Sequence, residues 1–226
     1  MVFRHNKGGI TTPFTKNFND ISAASLNNRG WFVQSSDTTF WNRRGEKAGQ
    51  MTLFTLRGDN WPNTREKIGI RNLLLRKITS GCFEVEIHFA DFIPDQNWQQ
   101  SEILLLEDTS FTGKGIRLSV AYNDFSGGYH KQKEIIIQAI TSSEKIMENR
   151  KKSLISQLFF SIVFFYISFL YAGGSVSNPA FKEVIMHEFD MNPHYIGLFA
   201  IKGFVDSAEI IPVHFTFFRL KENDCY

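Results

Sequence analysis

Short apolar segments recur along the chain, and several of them alternate strictly between apolar and polar positions. In the segment Cys82–Phe89, polar residues occupy the positions Glu84, Glu86 and His88, and apolar residues stand between them. Successive side chains of a strand point to opposite faces, so this pattern predicts a half-buried strand. The spacing of such segments predicts two antiparallel sheets in a sandwich or jelly roll. The predicted strands are Gly30–Gln34, Thr38–Trp41, Gln50–Leu56, Leu73–Lys77, Cys82–Phe89, Glu102–Leu106, Ile116–Tyr122, Glu134–Ile140, Phe164–Tyr171, Lys182–Phe189, Tyr195–Ile201 and Val213–Leu220.

The length of 226 residues suits a single domain, because all-β sandwiches commonly reach this size. The 23 phenylalanines are enough for an aromatic core between two sheets. No repeat or low-complexity linker divides the sequence, so residues 1–226 are predicted to form one domain. The one helical candidate is Ser142–Lys152, whose Ser-Ser-Glu-Lys start is typical of a capped, charged helix.

The segment Leu154–Ala172 is apolar over about the length of a membrane span and follows the basic residues 150–152. Two adjoining buried strands explain it equally well, since periodicity does not separate these alternatives in a long apolar run. Residues 181–220 continue the strand pattern, and a span would place them across a bilayer from their partner strands. We therefore expect two strands, and membrane association is the alternative.

The charge and cysteine content exclude several classes of protein. A net charge of +2 with interspersed signs does not indicate a nucleic acid or an anionic membrane as partner. The two cysteines form no metal motif and no disulfide framework, and Cys82 is expected to be a buried strand thiol. The N-terminus has no apolar segment typical of a secretory signal. The sequence as written therefore predicts a cytoplasmic protein, unless it begins after a signal that has been lost.

Two tryptophans stand in segments that are rich in turn-forming residues. Trp61 lies in Gly58–Pro62 and Trp98 lies in Asp95–Gln100, each among amides and carboxylates. A large apolar ring in such a loop either closes over the end of the core or offers a face on which a sugar stacks. Two such loops in one β-domain favour the sugar-stacking interpretation more than one loop would.

Four stretches of the chain carry a resemblance to a known family. They are Met51–Pro62, Leu73–Lys77 with Phe83–His88, Asn97–Asp108, and Tyr195–Ala200 with Phe215–Leu220. The chain resembles the concanavalin A-like lectin/glucanase superfamily, and within it the family of unknown function that groups with the C-terminal β-sandwich domains of family 43 β-xylosidases. The resemblance covers roughly residues 15–140 and 175–220, and the sequence departs from it at 142–172. It implies an all-β, concanavalin A-like jelly-roll sandwich whose ligand lies on the concave sheet.

The resemblance makes the loops near that sheet the candidate carbohydrate site. Trp61 and Trp98 would stack on the apolar face of a sugar ring, and neighbouring polar groups would bind its hydroxyls. The candidates for hydroxyl binding are Asp59, Asn60, Gln100 and Glu102. A further turn-rich loop could close the cleft with Asn123, Asp124 and Tyr129, although Asn123-Asp124 is equally typical of an ordinary turn.

A carboxylate pair on one strand is the enzymatic alternative. Glu84 and Glu86 share a face at about 7 Å, which suits inverting hydrolysis of a glycosidic bond. The glucanases of the superfamily carry a Glu-x-Asp-x-x-Glu strand motif, and the sequence around Glu84 does not match it. A solvated strand face is therefore the favoured interpretation, and catalysis is not supported.

No cofactor is required by any motif in the sequence. A structural calcium ion is common in lectin-like sandwiches, and Asp20 or Asp206 could supply a carboxylate for one. The sequence thus predicts a non-catalytic, lectin-like domain whose partner is a polysaccharide or oligosaccharide. The rivals are a glycoside hydrolase that uses Glu84 and Glu86, and a membrane-anchored or structural interaction protein.

Overall fold

The described part of the chain forms two antiparallel sheets and two short helices. The computed structural model describes residues 14–59, 69–79, 82–96, 98–111, 114–123, 134–141, 146–151, 157–163, 166–172, 182–188 and 191–223. Its helices are α1 (Ala23–Asn28) and α2 (Thr38–Trp41). Its strands are β1 (Phe14–Asn17), β2 (Trp31–Gln34), β3 (Met51–Phe54), β4 (Leu73–Lys77), β5 (Cys82–Ala90), β6 (Gln100–Leu106), β7 (Gly115–Asn123), β8 (Glu134–Thr141), β9 (Ile146–Lys151), β10 (Gln157–Val163), β11 (Tyr166–Ala172), β12 (Lys182–Glu188), β13 (Tyr195–Ile201) and β14 (Pro212–Asn223).

The strands form two sheets of seven among the described residues. Sheet A has the order β1-β14-β5-β10-β11-β12, and β3 also pairs with β14. Sheet B has the order β2-β4-β13-β6-β7-β8-β9. All of these strand pairs are antiparallel. The predicted all-β sandwich is therefore confirmed.

The main core lies between the facing sides of the two sheets. The odd-numbered apolar residues of β5, from Phe83 to Phe89, are buried there, as their alternation predicts. From sheet B, Ile103 and Leu105 of β6 join the same cluster, and β14 contributes Phe218. Edge-to-face contacts order this aromatic interior, and the ring centroids of Trp31 and Phe218 are 4.8 Å apart.

A second apolar cluster covers part of the outer face of sheet B. It contains Ile70, Leu73, Leu75, Leu104, Leu106, Phe199 and Ile201, all buried. The segment Leu56–Asp59 leaves β3 of sheet A and reaches this side, where Leu56 forms a parallel bridge with Ile201. The outer face of sheet B is therefore not a simple solvated surface, and its polar residues are partly or wholly removed from water.

Two local predictions were wrong. Thr38–Trp41 forms helix α2 instead of a strand, because the Asp37 carboxylate accepts a hydrogen bond from the Phe40 amide and caps the helix. Within the predicted helix Ser142–Lys152, Ile146–Lys151 forms β9 and pairs along β8. Cross-strand pairing at the sheet edge thus outweighs a local preference that is worth only tenths of a kcal/mol per residue.

The long apolar segment is built from strands, as predicted. β10 and β11 pair with each other, with Phe160 opposite Phe169, and β10 also pairs with β5. Residues 154–156 and 164–165 of that segment lie outside the described residues. In the part of the chain that the structure describes, no helix has the length and apolar character needed to cross a membrane.

Cys82 is disulfide-bonded, so the prediction of a buried free thiol was wrong. The register of β5 with β14 pairs Cys82 with Asn223, and this brings the C-terminal end of β14 beside it. The other cysteine of the sequence, Cys225, lies outside the described residues.

Substitution of Gly197 by Ala is expected to lower the free energy of unfolding by about 1–2 kcal/mol, because it overpacks the outer face of sheet B. A β-carbon at Gly197 would lie 2.9 Å from Leu75 Cδ2 and 3.0 Å from Leu73 Cδ1. Both leucines are fully buried and have little room to move. Urea unfolding of the two proteins measures the effect, and an unchanged or raised midpoint would contradict the tight packing of Gly197.

Candidate functional site

Two carboxylates flank one arginine on the outer face of sheet B. Arg117 Nε lies 3.5 Å from Glu102 Oε2, and Arg117 Nη1 lies 3.3 Å from Asp59 Oδ1. Glu102 stands on β6 and Arg117 on β7, where the register pairs Glu102 with Ser119 and Leu104 with Arg117. These positions alternate with the core-facing Ile103 and Leu118, so the sheet itself directs the polar groups outward. We refer to Asp59, Glu102 and Arg117 as the carboxylate–arginine cluster.

Glu102 is the most unusual member of this cluster. Its side chain is 0% exposed, and neither carboxylate oxygen accepts a hydrogen bond of normal geometry. Burial raises the pKa of Glu102 to about 7, the charge of Arg117 opposes that rise, and the charge of Asp59 adds to it. The hydroxyl of Ser119 beside it is also buried without a hydrogen-bond partner. A buried carboxyl group without donors is costly, and such groups concentrate at functional sites.

Asp59 reaches the cluster through a segment that is fixed at several points. The Gly58 amide donates to the Gly203 carbonyl at 2.9 Å, and the Lys202 amide donates to the Leu56 carbonyl at 3.0 Å. Arg57 pairs with Asp206 at 2.7 Å. These contacts fasten Leu56–Asp59 to the loop that follows β13, so the carboxylate of Asp59 is presented by well-anchored backbone.

Trp98 packs against the segment that carries Asp59. Its ring is half-buried, and its amide donates to the carbonyl of Tyr122 at the end of β7. A β-carbon at Gly203 would lie 3.4 Å from Trp98 Cβ, so Trp98 packs directly against the glycine that bridges to Gly58. Gly58, Asp59, Trp98 and Gly203 therefore form one continuous corner, which we call the Trp98 corner.

The backbone of Trp98 is in an uncommon conformation. Its φ of 67° is in the left-handed region, which a bulky residue rarely occupies and which costs on the order of 1 kcal/mol or more. The surrounding loop must impose this conformation. A strained aromatic residue at a partly exposed position is a feature that clusters at binding sites.

Gln99 is a positioning residue that the sequence analysis missed. Its side chain is fully buried, its Oε1 accepts from the amides of Asp95 and Gln96, and its Nε2 donates to the Glu209 carbonyl. One amide side chain thus closes the Trp98 loop on itself and ties it to the loop before β14. An amide next to a loop tryptophan is a weak signal, because the sequence does not distinguish a ligand-binding amide from a loop-closing one.

Arg117 was also missed, although its strand carried a signal. It is the charged residue in the alternating segment Ile116–Tyr122, and its side chain is only 7% exposed. A charge in a strand with two buried faces requires a partner, and Glu102 on the next strand of the meander is the obvious one. Pairing the polar positions of neighbouring predicted strands would have identified it.

The predicted site residues separate into three groups. Asp59, Trp98 and Glu102 lie together through the contacts above, and Gln100 is buried two residues from Glu102 on β6. Asn60, Trp61, Asp124 and Tyr129 lie outside the described residues. Asn123 is the last residue of β7, and its side chain is likewise outside the description. The site as described therefore contains one of the two predicted stacking tryptophans.

The carboxylates of the enzymatic alternative lie on the other sheet. Glu84 and Glu86 stand on β5 of sheet A, opposite Lys221 and Arg219 of β14 in register. Glu86 forms an ion pair with Arg219, and Glu84 Oε2 lies 3.8 Å from Lys221 Nζ. Burial raises the pKa of Glu86, and Arg219 opposes this. The ion pairs with β14 give both carboxylates a structural role. Hydrolysis by Glu84 and Glu86 therefore stays an unsupported alternative.

The two weak candidates for a calcium ligand lie in separate loops. The Asp20 carboxylate accepts from the Ser22 amide ahead of α1, and Asp206 pairs with Arg57. Among the described residues, no group of three Asp, Glu, His or Cys side chains is arranged to bind a metal ion. A structural calcium ion stays an untested prediction.

Comparison with solved structures establishes the fold. The GH43 protein BlXynB from Bacillus licheniformis is 16% identical with a TM-score of 0.68, over 92% of this chain and 39% of that one. A lichenase from a mouse hindgut metagenome is 14% identical with a TM-score of 0.53, over 94% and 100% of the two chains. A legume lectin-like domain from Entamoeba histolytica is 12% identical with a TM-score of 0.57, over 93% and 97%.

These likenesses confirm the concanavalin A-like jelly-roll sandwich that the resemblance implied. The sequence matches no protein-family profile and no curated protein. The chain spans only about two fifths of BlXynB and of the similar xylan β-1,4-xylosidase from Bacillus halodurans C-125. At identities this low the comparisons describe the architecture, and they do not transfer an activity.

The stability of the protein is expected to fall between pH 4.5 and about pH 7 through Glu102. A carboxyl group whose pKa is 4.5 when unfolded and about 7 when folded favours folding while it is protonated. That contribution is complete below pH 4.5 and is lost as the pH rises through 7, amounting to about 3 kcal/mol at most. The Glu102→Gln variant has no titrating group at this position. Its free energy of unfolding minus that of the wild type should therefore increase as the pH rises from 4.5 to about 7. Urea unfolding at a series of pH values measures it, and parallel curves for the two proteins would refute a raised pKa.

Proposed function

We propose that this chain is a non-catalytic carbohydrate-binding domain that binds a glycan at the Trp98 corner, where the half-buried Trp98 and the partly exposed Asp59 lie. One observation carries the proposal: a half-buried tryptophan packs against the Gly58–Gly203 bridge, and the next residue, Asp59, joins the carboxylate–arginine cluster. An indole stacks on the apolar face of a pyranose, and carboxylates accept hydrogen bonds from its hydroxyls. Both requirements of sugar recognition are thus present side by side.

Asp59 is the member of the cluster that a ligand can reach. Its side chain is 16% exposed, whereas that of Glu102 is 0% exposed. The Asp59 carboxylate can therefore accept a hydrogen bond from a ligand hydroxyl. Side chains that are already fixed by Gly203 and Gln99 also reduce the ordering cost of binding.

The solved structures with this fold support the same class of partner. They include a xylan β-1,4-xylosidase, a β-1,3-1,4-glucanase and a legume lectin-like domain. Since one fold serves many functions, this is support by analogy, and the site geometry carries the greater weight. The non-catalytic part of the proposal rests on the absence of the glucanase strand motif and on the pairing of both Glu102 and Asp59 with Arg117.

Replacement of Trp98 by Ala should weaken glycan binding by about tenfold to a hundredfold, which corresponds to ~1.5–3 kcal/mol of lost apolar contact. Affinity electrophoresis in gels that contain xylan, arabinan, laminarin, mannan or chitin identifies a glycan that retards the wild type. Calorimetry with oligosaccharides of that glycan then gives the affinity. Trp98→Phe keeps an aromatic face and should retain most of the binding.

Phe32→Ala is the matched control for Trp98→Ala. Phe32 is an exposed aromatic residue on β2 of the same sheet, and it contacts Tyr195 instead of the Trp98 corner. Circular dichroism should show an intact fold for all variants. Equal loss of binding in Phe32→Ala and Trp98→Ala, or none in either, would reject the Trp98 corner as the site.

A further inference from the structure

We propose that Lys202 is a positioning residue for the Trp98 corner: its ammonium group holds the turn at residues 206–209, and that turn supports the loop that carries Trp98. This inference rests on the proposed function and adds to it a residue that does not touch the glycan. It follows from the contacts that join both ends of the turn to the tryptophan loop.

The charged end of Lys202 is directed into the protein. The residue directly follows β13 and is only 7% exposed. Its ammonium group donates hydrogen bonds to the backbone carbonyls of Asp206, at 3.2 Å, and of Ala208. Lysine is rarely buried unless acceptors satisfy its charge, as these two carbonyls do. The ammonium group is therefore a fixed cation around which residues 202–208 are folded.

One end of this turn supports Trp98 through the residue next to Lys202. Gly203 has a φ of 54°, and a β-carbon there would lie 3.4 Å from Trp98 Cβ. The absence of a β-carbon lets the tryptophan approach this backbone closely. The Gly203 carbonyl accepts from the Gly58 amide, and the Lys202 amide donates to the Leu56 carbonyl. A displacement of Gly203 would thus be passed directly to Trp98.

The other end of the turn holds the tryptophan loop through a single peptide group. This group contributes the carbonyl of Ala208, which accepts from Lys202, and the amide of Glu209, which donates to Gln96 Oε1. Because a peptide group is planar, Lys202 and Gln96 fix the same plane from its two sides. The Glu209 carbonyl also accepts from Gln99 Nε2 at 3.0 Å.

Loss of the ammonium group would leave the buried carbonyl of Ala208 without its donor. Ala208 is 4% exposed, so its carbonyl reaches water only if the peptide plane rotates. That rotation moves the Glu209 amide away from Gln96 and loosens the loop that carries Trp98. The left-handed backbone of Trp98, with a φ of 67°, persists only while its surroundings impose it. Lys202 therefore acts on glycan binding through the position of Trp98.

The test replaces Lys202 by Met, which keeps the apolar stem and removes the charge and the donors. The affinity of Lys202→Met for the glycan that retards the wild type in gels should fall about threefold to tenfold by calorimetry. The indole N–H signal of Trp98, assigned by its loss in Trp98→Phe, should shift in the free variant. Lys202→Arg keeps a cation with N–H donors and should retain most of the affinity.

Lys77→Met is the matched control. Lys77 is an exposed lysine on β4, and it lies opposite Tyr195 at the start of β13, whereas Lys202 follows the end of that strand. This variant should change neither the affinity nor the Trp98 signal. In the wild type, NMR of the lysine ammonium groups should also show one that exchanges slowly with water, and the Lys202 variants should lack it.

The outcomes separate the two proposals. Unchanged glycan affinity and an unmoved Trp98 signal in Lys202→Met would overturn the positioning role and leave the carbohydrate-binding function in place. An equal loss of affinity in Lys202→Arg and Lys202→Met would overturn it too. If Lys202→Met does not fold, rapid exchange of every lysine ammonium group in the wild type would still overturn it. Absence of binding by every glycan would overturn the proposed function alone, because the Trp98 signal of free Lys202→Met still tests the role of Lys202.

Discussion

The candidate site depends on the insertion of the last two strands into the middle of both sheets. β13 pairs with β4 and β6 in sheet B, and β14 pairs with β1, β3 and β5 in sheet A. The connection between them, residues 202–211, therefore crosses from one sheet to the other beside Trp98 and Gly58. Since these pairings join distant parts of the sequence, the corner forms only when the sandwich closes.

The carboxylate–arginine cluster beside the Trp98 corner contributes less to folding stability than the apolar core around it. A carboxyl group with no donor and a pKa of about 7 costs folding free energy that an apolar residue would not. The sheet tolerates that cost because its other face buries Ile103, Ile116 and Leu118 completely. Polar groups that reduce stability in an otherwise apolar frame are typical of binding and catalytic sites.

Much of the architecture could be predicted from the sequence, because strict alternation in segments such as Cys82–Phe89 has one simple explanation. Local signals failed where capping or pairing decided the outcome, as in α2 after Asp37 and in β9. Asp59, Trp98 and Glu102 were predicted as a site from residue type and loop position. The sequence analysis did not predict the roles of Arg117 and Gln99 or the disulfide of Cys82. Each of these depends on which segments become neighbours in the folded chain.

The most direct test of glycan binding at the Trp98 corner is an NMR titration of the indole N–H signals with the glycan that binds in gels. The four tryptophans give up to four signals, and the Trp98 signal is assigned by its loss in Trp98→Phe. If the glycan binds at the Trp98 corner, the Trp98 signal shifts to saturation, while the signal of Trp31, buried against Phe218, stays in place. A glycan that binds without moving the Trp98 signal would contradict binding at the Trp98 corner, since the binding surface would then lie elsewhere on the sandwich.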